Sequence, residues 1–356
     1  MIEALTTADS RLWDEALDLM RMYAFYHLLE YHRLAEMLGE GTPLMLVFRQ
    51  SHYVIAFPLL VRDFVVAGDG PTFRDATTVR GFAGPLASWE HVPKHVCKRF
   101  QEELHDLLKE RDIISVYARL NPITCPPSLL DGLGDIVEIG ATVSLDLTPP
   151  PDVQISRYRK GHRSEINRLR RLGVTCGEAS PESLGDFVRI YYDTMTRVRA
   201  PEEFYFDKDY FEFLLREMPG AMRLFLCRLD GRAVSGGIIG VSKGMTECYL
   251  AGTASEYVHL SPSKLMYDTM RQWSQEIGAN EFHVGGGVDA QRDSLYNFKM
   301  GFGGREHVYS TWRYVVNQKA YDDVCRAAFQ NGRPDGSFFP AYRSPSLQRE
   351  VPNHAA

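Results

Sequence analysis

Leu12, Leu17 and Met20, then Leu28, Leu34 and Leu38, recur at roughly helical spacing and predict helices over residues 9–23 and 28–38. The apolar pattern then changes to that of extended chain over 43–49 and 52–62, with Gln50-Ser51 as a turn between the two runs. Pro58 has no amide to donate, which predicts an edge or a bulge in the second strand. Residues 93–110 read as a helix and Ile113-Ile-Ser-Val-Tyr-Ala118 as a strand. A further strand stops at Leu145-Asp-Leu-Thr-Pro-Pro-Pro151, where three prolines forbid a continuing helix or ladder. That stretch is the clearest domain boundary.

Beyond it, Ile155, Tyr158, His162, Ile166 and Leu169 mark the buried face of a helix over 152–172, with Gly173 as its C-cap. Arg159, Arg163 and Arg170 fall on other faces. A second helix covers 182–198. Strands follow at 223–229, 233–241 and 245–251, the first two joined by an Asp230-Gly231 hairpin turn. A helix over 262–277 starts with Ser261 as N-cap and Pro262 at its first position. Strands at 281–285 and 307–315 complete the unit.

Each half thus carries helices, an antiparallel hairpin, a helix and a strand, which predicts an α/β (α+β) chain built from two copies of one plan. The expected division is residues 1–148, residues 152–330 and a tail over 331–356. In that tail Phe338-Phe-Pro-Ala-Tyr-Arg343 is placed to pin back onto the body. The length of 356 residues agrees with two domains.

No apolar run approaches the ~18 residues of a membrane helix. Met1-Ile-Glu-Ala-Leu lacks the basic and apolar regions of a signal peptide, so a cytoplasmic protein is expected. The six cysteines form no CxxC pair and suit reduced thiols better than a disulfide frame or a zinc site. Net charge is −6, but residues 157–171 carry seven basic side chains against Glu165 alone. A positive stripe on an otherwise acidic chain suits a polyanionic partner; a solvated helix face is the plainer alternative.

The richest stretch chemically is 281–304. An apolar strand runs into Gly285-Gly286-Gly287, and a short amphipathic helix then presents Phe298-Lys299 just before Gly301. A strand opening into a crevice, faced by one cation, has this layout; a helix cap followed by a turn has it too. Ser261-Pro-Ser-Lys264 offers a helix start and an ammonium to a phosphate, or simple capping. Tyr249 lies on a strand that could line the crevice. Arg197 and Arg199 precede the aromatic Phe204-Tyr-Phe206 and could hold a phosphate or carboxylate. His27 and His32, five apart on a helix, would stand about 140° from each other and cannot share one metal ion; no metal site is expected. Neither a P-loop lysine motif nor a dinucleotide fingerprint is present.

Four segments resemble the Fem family of aminoacyl-tRNA-dependent aminoacyltransferases: Arg163-Ser-Glu-Ile-Asn-Arg-Leu-Arg-Arg-Leu-Gly173, Cys248-Tyr-Leu-Ala-Gly252, Leu260-Ser-Pro-Ser with its helix to Gly278, and Phe298-Lys-Met-Gly-Phe-Gly303. Pro58-Leu-Leu and Gly81-Phe-Ala-Gly-Pro85 echo the family's first domain. The resemblance covers most of residues 25–315 and implies two tandem domains of the acetyltransferase (GNAT) fold, with mixed sheets flanked by helices. The helical arm that some members insert in the second domain has no room here, so the chain resembles the compact type.

The resemblance also implies a reaction, in which an amine attacks the ester carbonyl of an aminoacyl-tRNA to give an amide and free tRNA. The acceptor would be a peptidoglycan precursor or a small metabolite, and no cofactor is expected beyond the aminoacyl-tRNA co-substrate. Positioning should supply much of the rate, and a cation should meet the developing oxyanion. Lys299 takes that role, with Phe298 as the wall beside it. Tyr249, Arg197, Arg199, Gly286 and Gly287 are the substrate-binding candidates. Charge alone assigns tRNA phosphates to Arg159, Lys160, Arg163, Arg170 and Lys264. Two alternatives remain open: an acyl-CoA-dependent N-acyltransferase of the same fold, although His259-Leu-Ser-Pro262 lacks the glycines of a pyrophosphate loop, and a non-catalytic module that binds tRNA or precursor.

Overall fold

The computed structural model describes residues 2–66, 70–329 and 338–344. The chain opens with β1 (Glu3–Leu5), α1 (Ser10–Asp18) and α2 (Leu29–Met37), then the antiparallel run β2 (Thr42–Gln50), β3 (Tyr53–Val65) and β4 (Thr72–Thr77), with the short β5 (Leu86–Ala87) against β3. Helix α3 (Lys94–Glu110) crosses to β6 (Ile113–Leu120), which lies parallel to β4. Then come β7 (Asp135–Asp146), α4 (Pro151–Ser156), α5 (Lys160–Arg171), β8 (Thr175–Ala179), α6 (Leu184–Val198) and α7 (Lys208–Arg216). The antiparallel β9 (Met222–Leu229), β10 (Arg232–Ser242) and β11 (Met245–Thr253) precede α8 (Ser263–Glu276) and β12 (Glu281–Gly286), which is parallel to β11. Helix α9 (Ser294–Met300), β13 (Arg305–Val315) and α10 (Gln318–Ala328) follow.

The two halves repeat one order: an edge strand, two helices, three antiparallel strands, a crossover helix and a parallel strand. The closing strand of each unit comes from the other half of the sequence. Ser310–Val315 of β13 pairs with β6, while Thr142–Asp146 of β7 pairs with β12. The compact units are therefore discontinuous: unit 1 holds residues up to Arg21, Ala35–Ile139 and the described residues from Ser310 on, and unit 2 holds Met22–Leu34 and Gly140–Tyr309. The linear division at 148–152 is corrected accordingly. It falls inside unit 2, at the turn from β7 to α4, because a local pattern reports that a strand ends and not which strand it joins.

In unit 1, Val96, Phe100, Leu104 and Leu108 form the buried stripe of α3 over β2, β3 and β6. Pro58 is not at an edge. It faces Met45 of β2, and on its other side the neighbour of β3 changes from β5 (to Ile55–Ala56) to β4 (from Leu60), so its missing donor falls in a gap. The described part of the tail packs onto this unit: Tyr342 is buried with Ile114 and Val324, and its hydroxyl bonds Ser115 and Asp75. The remainder of the predicted tail lies outside the described residues.

In unit 2, helices cover both faces of the sheet. Successive strand residues point to opposite sides. Gly236 meets Phe187 of α6, whereas Gly237 meets Met266 and Met270 of α8. Asp230 and Gly231 both have positive φ, as the predicted two-residue hairpin requires. The predicted helix over 152–172 is broken. It divides into α4 and α5 at Arg157–Arg159, where the Arg159 N–H turns to the Gly301 carbonyl (2.8 Å). Of its predicted buried face, Tyr158, His162, Ile166 and Leu169 are buried, but Ile155 is exposed because α4 points its side chain outward before the break.

Candidate functional site

The parallel strands β11 and β12 pair at only three positions, Met245↔Glu281, Thr246↔Phe282 and Glu247↔His283. Beyond them β11 continues along β10 and β12 along β7, so the sheet of unit 2 forks. Each strand carries one unmatched residue just past the last pair: Tyr249 against β10 and Val284 against β7. A bulge bends its strand and adds twist, and two bulges at one level open the sheet at the carboxyl ends of parallel strands, where α/β folds bind ligands.

Lys299 reaches this fork from α9. Asp293 caps that helix by accepting from the Tyr296 N–H (2.9 Å), and its other oxygen accepts from Val288 N–H (3.1 Å). The Lys299 side chain is 8% exposed, and its Nζ donates to the Gly286 carbonyl (2.6 Å). Gly285 has φ +73°, and a Cβ there would stand 3.3 Å from Nζ. Positive φ and close approach together explain why glycine occupies that position. A Cβ on Gly287 would run into the Asp293 carboxylate. Burial pulls the Lys299 ammonium down to about 8, opposed by Cys248 and Asp293 nearby. Cys248, on β11, donates to the Tyr267 hydroxyl (3.3 Å), and burial raises its thiol.

The wall beside Lys299 is aromatic. Phe298 packs edge-on against Tyr267 and Phe302, and His162 of α5 bonds its carbonyl (2.9 Å). The glycines that follow are packing requirements and not only a helix end. A Cβ on Gly301 would collide with the His162 ring, and one on Gly303, at φ +74°, would stand 2.8 Å from the Arg157 carbonyl oxygen.

Tyr249, the bulge residue, shares hydroxyl bonds with Tyr31 (2.9 Å) and with Tyr210. Behind it, Glu247 and His283 form a buried pair (2.7 Å) at the last position before the fork, and burial raises the Glu247 carboxyl. Sequence reasoning missed Cys248, Tyr267, Tyr31, Tyr210 and this pair. They meet across separations of up to 218 residues, and no local pattern marks them.

The remaining predicted residues scatter. Arg197 ties α6 to the end of β11 through the Thr253 carbonyl (2.9 Å) and Ser255 Oγ (2.8 Å), and Arg199 is an exposed left-handed helix cap. Arg170 is committed to the buried Asp268 (2.7 Å) and Lys264 to Glu165, so neither ammonium nor guanidinium stands ready for a phosphate. Arg159, Lys160 and Arg163 are exposed on α5 and at its start. Ser261 is not a side-chain cap: it sits at φ +57° just past the 3-10 turn that ends at Leu260, and α8 begins two residues later. His27 precedes α2 in a 3-10 turn and does not share a helix with His32. Each bonds a main-chain carbonyl through Nδ1, and burial lowers His32 to about 3. None of the predicted residues lines the 430 Å³ cleft of unit 1, which is bordered by Asp63, Arg74, Lys109, Asp112 and Asn317.

Comparison with known proteins bears on the fold. Residues 156–300 match the acetyltransferase (GNAT) domain model. FemX superposes with a TM-score of 0.71 at 15% identity, over 90% of this chain and 99% of that one. A conserved protein of unknown function from Bacteroides thetaiotaomicron gives 0.54 at 10% identity, over 88% and 99%. The C-terminal domain of a putative lysylphosphatidylglycerol synthetase from Agrobacterium fabrum gives 0.51 at 13% identity, over 86% and 92%. A search of curated proteins finds no match. The chain therefore carries an α/β acyltransferase fold of the GNAT type, and its resemblance to the Fem family stands as a likeness of fold to FemX. Among the described residues no helix is long and apolar enough to cross a membrane.

Proposed function

We propose that this chain is an aminoacyltransferase that moves the aminoacyl group of a charged tRNA onto the amine of an acceptor, a cell-wall precursor or a small metabolite. The observation that carries the reading is the buried Lys299 ammonium at the β11–β12 fork, beside Gly286 and the Phe298 wall. The amine attacks the ester carbonyl, the carbonyl oxygen gains charge, and the ribose oxygen leaves. Lys299 has three N–H donors, one of them on Gly286, and stabilises that charge from a site with little water around it. The attacking amine must lose a proton as the amide forms. Tyr249, Tyr31 and Tyr210 present hydroxyls for the substrate. Arg159, Lys160 and Arg163 meet tRNA phosphates. Arg170 and Lys264 shape that surface without touching the nucleic acid.

An acyl-CoA donor fits less well. The start of α8 has no glycine loop, the Lys264 N–H is bonded to the Ser261 carbonyl (3.1 Å), and its ammonium is held by Glu165. The deciding measurement compares binding of charged tRNA and acetyl-CoA to the purified protein at two salt concentrations. Salt-sensitive capture of charged tRNA without CoA binding is expected. Tight CoA binding without tRNA capture would move the protein to the acyl-CoA class.

A further inference from the structure

Cys176 on the edge strand β8 and Cys227 on β9 stand directly opposite each other in the antiparallel register. Opposed residues emerge on one face of a sheet, and both side chains pack into the apolar cluster beneath α8. The Cys176 side chain is near enough to help raise the Cys227 thiol. Cys227 Sγ also lies 3.6 Å from the Pro262 carbonyl oxygen, just before α8 begins. Directly opposed residues in an antiparallel pair keep their Cα atoms about 4.5 or 5.5 Å apart, inside the about 4.4–6.8 Å that a disulfide spans. Among the described residues no other two cysteines face each other in this way: Cys97 and Cys325 lie on helices, Cys125 in a loop, and Cys248 faces Ile239 across the strands.

We propose that Cys176 and Cys227 are a redox modification site, a reversible disulfide that staples the edge strand of unit 2 to its sheet. The oxidant is a low-molecular-weight disulfide. Cys176 is half-buried and Cys227 fully buried, so Cys176 meets the oxidant first. Its thiolate attacks one oxidant sulfur, forms a mixed disulfide and releases one small thiol. The Cys227 thiolate then attacks the Cys176 sulfur and releases the second. The two protons given up by the protein end on the two small thiols, and two electrons pass to the oxidant. Burial and the neighbouring Cys176 hold the Cys227 thiol well above its ordinary range, so the second step quickens as pH rises. The bond closes the excursion that holds α6 and α7, and the Cys227 thiol no longer donates to Pro262.

The test uses the full chain, incubated with oxidised glutathione and mapped by mass spectrometry without reduction. A Cys176–Cys227 peptide pair lighter by two hydrogens is expected, reversed by reductant, with a melting temperature raised by roughly 5 °C or more. Cys176→Ser, at the half-buried position, should fold and abolish both changes; Cys227→Ala is the second variant should Cys176→Ser be unstable. A glutathione adduct that persists on Cys176 while Cys227 stays reduced would overturn the proposal. So would oxidation that spares both thiols while Cys248 or Cys97 reacts.

Discussion

Lys299 is costly to the fold that holds it. Its ammonium is buried with one main-chain partner, and burial takes its pKa from 10.5 to about 8. The sign of the resulting stability effect follows from proton counting. Between about 8 and 10.5 the unfolded chain holds a proton that the folded protein has released, so this group's contribution to stability rises with pH across that window. Below it, the charged side chain costs on the order of 3 kcal/mol. Lys299→Met should therefore melt at or above the wild-type temperature at pH 7, and the stability gap between the two should shrink toward pH 10. Turnover should fall by about 10²–10³, the usual loss when an oxyanion donor is removed, while tRNA binding changes little. Turnover of the wild type should also decline as pH rises through about 8. A variant that is destabilised and still active would make Lys299 a structural residue. This is the level at which the sequence was most legible: Lys299, Phe298 and the glycines beside the ammonium, Gly285 and Gly286, lie in one short stretch, and proximity along the chain carried the inference.

The break between α4 and α5 explains why the basic segment is only partly a surface. A continuous helix, as the residue spacing predicted, would set Arg159, Arg163 and Arg170 at regular angles toward solvent. The chain instead turns at Arg157–Arg159 to let α9 and its glycines approach. Arg170 then comes against Asp268, which the Tyr158 hydroxyl also bonds (2.9 Å). Helical periodicity cannot show such a break, because its cause is the approach of Gly301 and Gly303, more than 140 residues away. Two consequences are measurable. Charge reversal at Arg159, Lys160 and Arg163 should weaken tRNA binding and lower the slope of log affinity against log salt by about 0.7–0.9 for each phosphate no longer neutralised, with melting unchanged. Arg170→Glu should lower melting instead, by leaving Asp268 facing a second carboxylate. Equal effects on binding and melting at all four positions would erase that distinction. Gly303→Ala must force a left-handed backbone and press on Arg157, a cost of about 2–4 kcal/mol read from the denaturant midpoint. An unchanged midpoint would mean that the loop yields freely.

Across the molecule, the repeated plan was visible in the sequence because each half shows its own hairpin, crossover helix and strand. The exchange of closing strands was not, since β7 and β13 look alike in pattern and only their partners differ. The described tail segment, Phe338–Ser344, shows the same limit. Its aromatic run marked it as a candidate to pin back, but its partner is Asp75, a fully buried carboxylate near the middle of unit 1. Asp75 accepts from Arg62 (2.7 Å), the Tyr342 hydroxyl (3.0 Å) and Arg343 through both Nε (2.5 Å) and Nη2 (3.0 Å). Removing one partner from a buried carboxylate leaves charge without full compensation, and Arg343 also stacks over Phe64 (4.6 Å). Asp75 keeps Arg62 and the Tyr342 hydroxyl, so Arg343→Met should destabilise unit 1 by about 2 kcal/mol, the scale of a hydrogen bond to a charged group. Arg343→Lys should recover only part of that, because an ammonium cannot make the paired bonds of a planar guanidinium. A chain of two compact units need not unfold in one step, so the measurement must be local. Hydrogen exchange should speed up at the amides of β4 and β6 and stay unchanged in β9–β11. Faster exchange in both sets would mean that the segment supports more than unit 1, and no change in either would mean that Arg62 and Tyr342 suffice to hold Asp75.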